Sequence, residues 1–139
     1  MKHRTQYLVT RGHLWLYRAT RGRLGARLGS MEQVLLTTTG RVSGRPRSTP
    51  LTAIPHGTGL VLVASDGGKP EHPQWYRNLL VDGVVTVQRG PRTMRMRART
   101  ATPAERERLW PVAVGVYGGY AQYQARTDRE IQLVICEPL

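Results

Sequence analysis

Val84-Val85-Thr86-Val87-Gln88-Arg89, then Gly90-Pro91, then Thr93-Met94-Arg95-Met96-Arg97-Ala98-Arg99 is the stretch on which the reading of the fold turns. The second run alternates strictly, with Met94, Met96 and Ala98 on one side and Arg95, Arg97 and Arg99 on the other. A period of two belongs to a strand with one buried face and one wet face. The β-branched first run and the Gly-Pro turn between them predict an antiparallel hairpin.

Toward the N-terminus the runs keep strand length. Val34-Leu35-Leu36-Thr37-Thr38-Thr39 ends at Gly40, Ser48 to Ile54 follows the turn Gly44-Arg45-Pro46-Arg47, and Gly59 to Ala64 is apolar enough for a strand buried on both faces. After Asp66-Gly67-Gly68, Pro73 opens a short helix through Trp75, Asn78 and Leu79. Toward the C-terminus, Thr102-Pro103-Ala104-Glu105 is a capping box with proline in the first helical turn, and the helix should stop near Gly118-Gly119. Pro111 should kink or restart it, because proline lacks the N–H and clashes with the preceding turn. A second helical turn holds Tyr120 to Tyr123, and Ile131 to Cys136 forms the last strand. The expectation is six strands, mostly antiparallel, with two or three helices: a small barrel-like α+β domain over residues 31–139.

With 139 residues, 40% of them hydrophobic, the chain has room for one domain with a real core. Cys136 is the one cysteine, so no internal disulfide forms, and four scattered histidines without ligand spacing argue against a zinc site. No run approaches the roughly 18 to 20 apolar residues of a spanning helix, and the start lacks a secretory cleavage site, so the chain is read as cytoplasmic. The net charge of +12 is almost all arginine and asks for an anionic partner: nucleic acid, an anionic membrane face or a phosphorylated ligand. A GC-rich genome writes the same arginine excess, so charge alone does not choose. Basic residues spread along the chain without a recognition motif, and no nucleic acid is expected. Residues 1–30 form a distinct arm, with seven basic side chains and no acid around Tyr7, Leu8, Leu14, Trp15, Leu16 and Tyr17. Such an arm suits an interfacial helix on anionic lipid at the inner face of the cell membrane, or a solvated arm that packs Trp15 and Leu16 onto the domain.

Hydrolytic signatures are absent: there is no nucleophile elbow, zinc-protease motif or phosphate-binding loop. Three clusters remain. Thr37 to Arg47 places Arg41, Arg45, Arg47 and a hydroxyl in a tight turn, which suits a phosphate or several carboxylates and is also how a solvated turn looks. Ala64-Ser65-Asp66-Gly67-Gly68-Lys69 with His72 to Asn78 is a glycine turn feeding a helix start, where Trp75 can wall a flat ring or simply fill core. Tyr117, Tyr120 and Tyr123, at spacing three, put three phenols along one helical face. They can pack half-buried, or donate hydrogen bonds to an oxygen gaining charge.

These same residues carry a resemblance. Thr37-Thr38-Thr39-Gly40-Arg41, Gly44-x-Pro46-Arg47-x-x-Pro50-Leu51, Val63-Ala64-Ser65-x-Gly67-Gly68, His72-Pro73-x-Trp75-Tyr76-x-Asn78-Leu79 and Tyr117-x-x-Tyr120-x-x-Tyr123-Gln124-x-Arg126-Thr127-x-Arg129-x-Ile131 resemble the deazaflavin-dependent nitroreductase family, in the family's order, over about residues 33 to 137. The resemblance implies a split β-barrel of the FMN-binding and pyridoxamine-oxidase type that binds the 8-hydroxy-5-deazaflavin coenzyme F420. It implies an oxidoreductase passing a hydride from the reduced coenzyme to a quinone, a nitroaromatic or an activated double bond. Arg41, Ser43, Arg47, Ser65, Gly67, Gly68, Trp75 and Asn78 match positions lining the coenzyme groove, with Arg45 near them. Tyr117, Tyr120, Tyr123 and Ser65 match the acceptor pocket. Val42 and Asp66 stand where the family commonly has lysine, which removes positive charge where an acidic glutamyl tail would lie. A coenzyme carrier without turnover is the alternative reading.

Overall fold

The computed structural model describes residues 27–28 and 31–139. The remainder of the basic arm, with its lipid or solvent reading, lies outside the described residues. Eight strands form one sheet in which every pairing is antiparallel. In chain order they are β1 (Arg27–Leu28), β2 (Met31–Thr39), β3 (Pro46–Thr52), β4 (Ile54–His56), β5 (Gly59–Val63), β6 (Val84–Arg89), β7 (Arg92–Thr100) and β8 (Leu133–Pro138). A 3-10 turn at Asp66–Gly68 and three helices, α1 (Gln74–Val81), α2 (Pro103–Val116) and α3 (Gly119–Ala125), complete the described chain.

The predicted hairpin is present as β6 and β7, with Thr86 opposite Arg95 and Val84 opposite Arg97. Met96 and Ala98 are buried while Arg95, Arg97 and Arg99 are exposed, as the alternation required. Six expected strands become eight for two local reasons. The two-residue β1 adds to β2, and the run from Ser48 to Ile54 divides at Ala53. Up to Thr52 that run pairs with β2; from Ile54 it pairs with β5. The order β1-β2-β6-β7-β8-β5-β4, with β3 on the free side of β2, is therefore closed by one bent strand. This is the split barrel that the motifs implied, because a sheet that curls back on itself has to turn a corner somewhere.

Two cores follow from the side-chain alternation. Val34, Leu36, Leu60, Leu62, Val85, Val87, Met96, Val134 and Cys136 face the barrel interior with Trp75, Tyr76 and Leu79 of α1. Val61, Val63, Leu133 and Ile135 point the other way, onto Ala113 of α2, Tyr120 of α3 and Ile131. Strands β5 and β8 are thus apolar on both faces, which is why Gly59 to Ala64 reads as an uninterrupted run. Burial pushes the Cys136 thiol up to about 12, so it packs as a small apolar side chain.

The capping box forms as read: Glu105 N donates to Thr102 Oγ1 (3.2 Å) and Thr102 N to Glu105 Oε1 (2.9 Å). Helix α2 runs from Pro103 through Pro111 to Val116, so the restart expected at Pro111 does not occur. Pro111 and Glu107, whose carbonyl loses its helical partner, are both exposed, and water can serve that oxygen. Arg99 of β7 forks onto Glu105 at 2.7 and 2.9 Å. That fork, and then the Thr102 amide, hold the Glu105 carboxyl down to about 2. A depressed carboxyl contributes stability above its ordinary pKa and loses it as pH falls through the folded value. Glu105→Gln should therefore lower the thermal midpoint at pH 7, and the difference from the parent chain should fade between about pH 4.5 and pH 2 in a melting series.

Candidate functional site

The turn between β2 and β3 is built around glycine. Gly40 N donates to Arg45 O and Gly44 N to Gly40 O, both at 2.8 Å, and Gly44 sits at φ +70°. A Cβ on Gly40 would stand 2.8 Å from Ser43 Oγ and 3.1 Å from Arg45 O, so the turn closes this tightly only around a glycine. Ser43 Oγ accepts from Arg45 N (3.2 Å) and from Arg47 Nη2 (3.3 Å). Arg41 points instead to α1, its Nη1 and backbone N donating to Asn78 Oδ1 (2.8 and 3.2 Å) and its Nη2 to Gln74 Oε1 (2.8 Å). These partners are neutral amides, so the guanidinium keeps its full charge for an anion. Asn78 is 4% exposed and donates from Nδ2 to Thr38 Oγ1 (3.2 Å), fixing which amide atom faces Arg41.

Between this turn, β3 and the start of α1 lies an open groove of about 660 Å³. Arg41, Ser43, Arg47, Ser65, Trp75 and Asn78 line it, together with Val42, Asp66, Gln74, Pro50 and Leu51. Trp75 belongs both to the groove lining and to the barrel core. Arg45 is not in the lining; its side chain is exposed and only its backbone joins the turn. Val42 is 92% exposed at the groove, and Asp66 brings a carboxylate to it, 3.8 Å from Lys69 Nζ.

A second cavity of about 270 Å³ adjoins the groove, sharing Pro50, Leu51, Val63 and Ser65 as common wall. Tyr117, Tyr120, Tyr123 and Gly67 line its other side. The three phenols do not share one helical face as the spacing suggested. Tyr117 ends α2, whereas Tyr120 and Tyr123 lie on α3, and the break between the helices folds the rings together. Ring centroids lie 5.0 Å (Tyr117–Tyr120), 6.0 Å (Tyr117–Tyr123) and 6.4 Å (Tyr120–Tyr123) apart, all edge to face. Tyr117 and Tyr123 hydroxyls are hydrogen-bonded at 3.1 Å. That bond and then burial raise Tyr123 above the ordinary phenol value; burial chiefly raises Tyr120, against a hydrogen bond from Thr52. Tyr120 and Tyr123 are therefore neutral phenols, able to donate. Gly68 lines neither cavity but backs directly onto the Tyr123 carbonyl.

Local sequence pattern does not single out several residues that line or brace the site. Gln74 and Thr38 hold Arg41 and Asn78, while buried Gln33 donates to Thr52 Oγ1 (2.7 Å) in the tyrosine cavity wall. A polar Gln33 at the buried phase of an apolar strand was the one signal available for it. Arg129, one position of the motif that follows Tyr123, reaches the backbone of the Ser65 loop.

Comparison with known proteins agrees with this architecture. The chain is 37% identical over 131 residues to an F420H(2)-dependent quinone reductase of Mycobacterium tuberculosis, covering 91% of this chain and 88% of that protein. A solved F420-H2 dependent reductase (FDR-A) superposes with a TM-score of 0.70 at 42% identity, over 76% of this chain and 93% of that one. A solved domain-swapped dimer superposes at 0.73 and 36% identity, over 96% and 98%. The profile of one family spans residues 9–138, nearly everything that the barrel and its two cavities are made of, and by it the chain belongs to the F420H(2)-dependent quinone reductase family.

Proposed function

We propose that this chain oxidises reduced coenzyme F420 and reduces a quinone, with the coenzyme in the groove and the acceptor in the tyrosine cavity. The observation that carries the reading is the common wall: a basic groove and a phenol-lined cavity meet across Pro50, Leu51, Val63 and Ser65. Donor and acceptor sites that share a wall can bring reacting atoms together without solvent between them. The groove suits a flat, anionic coenzyme, since Trp75 offers a planar face and Arg41 an uncompensated charge. Arg47, Ser43 and the glycine-shaped turn would hold its acidic portion. When bound, the coenzyme supplies a hydride from its ring carbon 5.

The chain's own contribution is binding, orientation and proton management. Ser65 and the Tyr123 hydroxyl, which line this cavity, would hydrogen-bond the acceptor oxygen as it gains negative charge, and the Tyr117–Tyr123 pair would link that oxygen to the exposed side of the cavity. A quinone gaining one hydride and one proton leaves as quinol. Nitroaromatics and activated double bonds accept the same pair and are secondary substrates on this reading. The basic, aromatic residues 1–30 would bring the site to an anionic membrane face, where quinones dissolve; among the described residues no helix is long and apolar enough to cross a membrane.

The test is to mix the chain with reduced F420 and a menaquinone analogue and follow the returning absorbance of the oxidised coenzyme. Quinone-dependent oxidation above the protein-free rate supports the proposal. Tight binding with no oxidation by quinone, nitroaromatic or enone would make the chain a carrier, and no binding would overturn the reading.

A further inference from the structure

The turn Asp66–Gly68, between β5 and α1, has three consecutive residues in left-handed conformation: Asp66 at φ +43°, Gly67 at +65° and Gly68 at +81°. Its own hydrogen bonds are two, Gly68 N to Ser65 O (2.9 Å) and Lys69 N to Asp66 O (3.2 Å). Left-handed runs are unfavourable for L-residues, Asp66 included, and persist where the surroundings over-determine them. Two things lie against this turn: the backbone of Tyr123 on α3, which Gly68 faces, and Arg129, on the segment after α3. Its Nη1 donates to Ala64 O (3.1 Å), Nη2 to Ser65 O (2.7 Å) and Nε to Lys69 O (2.8 Å), so one guanidinium grips the backbone on both sides of the turn. His72 Nδ1 lies 3.4 Å from Nη1; burial, then Arg129 and Arg77, lower that imidazole, leaving a neutral ring whose nitrogen can accept.

Arg129 is itself held. Its N donates to Thr127 Oγ1 (3.3 Å) and its O accepts from Gln124 Nε2 (2.8 Å), while Gln124 Oε1 accepts from Ile131 N (2.8 Å). Gln124, Thr127, Arg129 and Ile131, four of the motif residues that follow Tyr123, all take part in this clamp. Because Gln124 follows Tyr123 on α3, the clamp ties the Ser65 and Tyr123 sides of the tyrosine cavity to one short segment.

We propose that Arg129 is a positioning residue, locking the left-handed 66–68 turn so that Ser65 keeps its place in the wall between the coenzyme groove and the acceptor cavity and Gly67 its place in the cavity lining. The assignment rests on the function proposed above for those two cavities. A lysine at this position keeps the charge but not the planar fork, and one ammonium cannot span carbonyls on both sides of the turn.

The experiment compares Arg129→Lys, Arg129→Gln and Arg106→Gln. Arg106 is the control for stability: from α2 it bonds Ile131 O (2.9 Å), Gln124 Oε1 (3.2 Å) and Glu130 (3.2 Å), holding the same segment without touching residues 64–69. Four readouts are taken: melting temperature, hydrogen exchange of the peptide 64–72 without coenzyme, F420 affinity by fluorescence titration, and kcat and KM for the quinone. Both Arg129 variants should exchange at 64–72 about tenfold faster and bind F420 about tenfold more weakly, the scale of a lost charge-assisted hydrogen bond. Their kcat should fall more than KM for quinone changes. Arg106→Gln should lower the melting temperature while leaving exchange at 64–72 and F420 affinity within about twofold of the parent chain. Unchanged exchange in both Arg129 variants, or equal changes in Arg106→Gln, would overturn the assignment. A parent chain that binds no F420 would sink the functional reading instead, while the exchange comparison still decides the clamp.

Discussion

Gly68→Ala is expected to lower stability by about 3 kcal/mol and quinone turnover at least tenfold. Two costs add. At φ +81° an alanine carries the left-handed penalty of about 1–2 kcal/mol. Its Cβ would also stand 2.5 Å from Tyr123 O and 3.1 Å from Tyr123 Cα, both backbone atoms of α3 that cannot rotate away. Relief requires α3 to shift, and overpacking of this kind costs typically about 1–3 kcal/mol. The shift would carry Tyr123 out of register with Ser65, which is why turnover should fall with stability. Gly67→Ala separates the costs, because Gly67 is left-handed at +65° but its Cβ would meet nothing within 4 Å. Chemical denaturation of both variants should show Gly67→Ala losing only the backbone share. Equal losses would mean that contact with α3 does not matter.

Tyr123→Phe should reduce kcat about a hundredfold, the usual scale for removing one donor to a developing oxyanion, with F420 affinity within about twofold. Stability should hardly move, because the Tyr117–Tyr123 hydrogen bond is exposed. The Tyr123 phenol is raised by its bond to Tyr117 and by burial, and the Tyr120 phenol by burial, so both stay protonated throughout the range below their ordinary value near pH 10. The parent chain's kcat should therefore show no phenol ionisation between pH 6 and about 9. Steady-state kinetics over that range checks both statements. Undiminished kcat in Tyr123→Phe removes the phenol from the chemistry, and a fall in kcat midway through the range would mean a different group supplies the proton.

Much of the fold was legible because its causes are local. The alternation at Thr93 to Arg99, the two-sided apolar run at Gly59 to Ala64 and the capping box at Thr102 each state, within a few residues, which face meets the core and where the chain reverses. Helix α2 passing through Pro111 shows the limit of that logic. The local rule counts one lost hydrogen bond and a clash, whereas Ala113 and the flanking Trp110 and Val114 are packed onto the second core. The stripe at Tyr117, Tyr120 and Tyr123 shows another: correct spacing, but a helix break that only packing against Val63 and Ile131 turns into a cavity wall.

Adjacent residues alone specify the strand-length runs of the sheet apart from β1 and the break at Ala53, the wet arginine face and, through motifs in a fixed order, the family. Tertiary structure alone decided what those motifs do to one another. Ala53 is an ordinary strand residue until the barrel has to close, and then the bend there hands one strand from β2 to β5. Asn78 selects the orientation of Arg41 across 37 residues, and Arg129 grips Ala64 and Ser65 across 65 and 64. Periodicity and capping act over a turn or a pleat, so they are written in adjacent residues; a hydrogen bond between distant segments depends on where the whole sheet curls, and no short stretch carries that information.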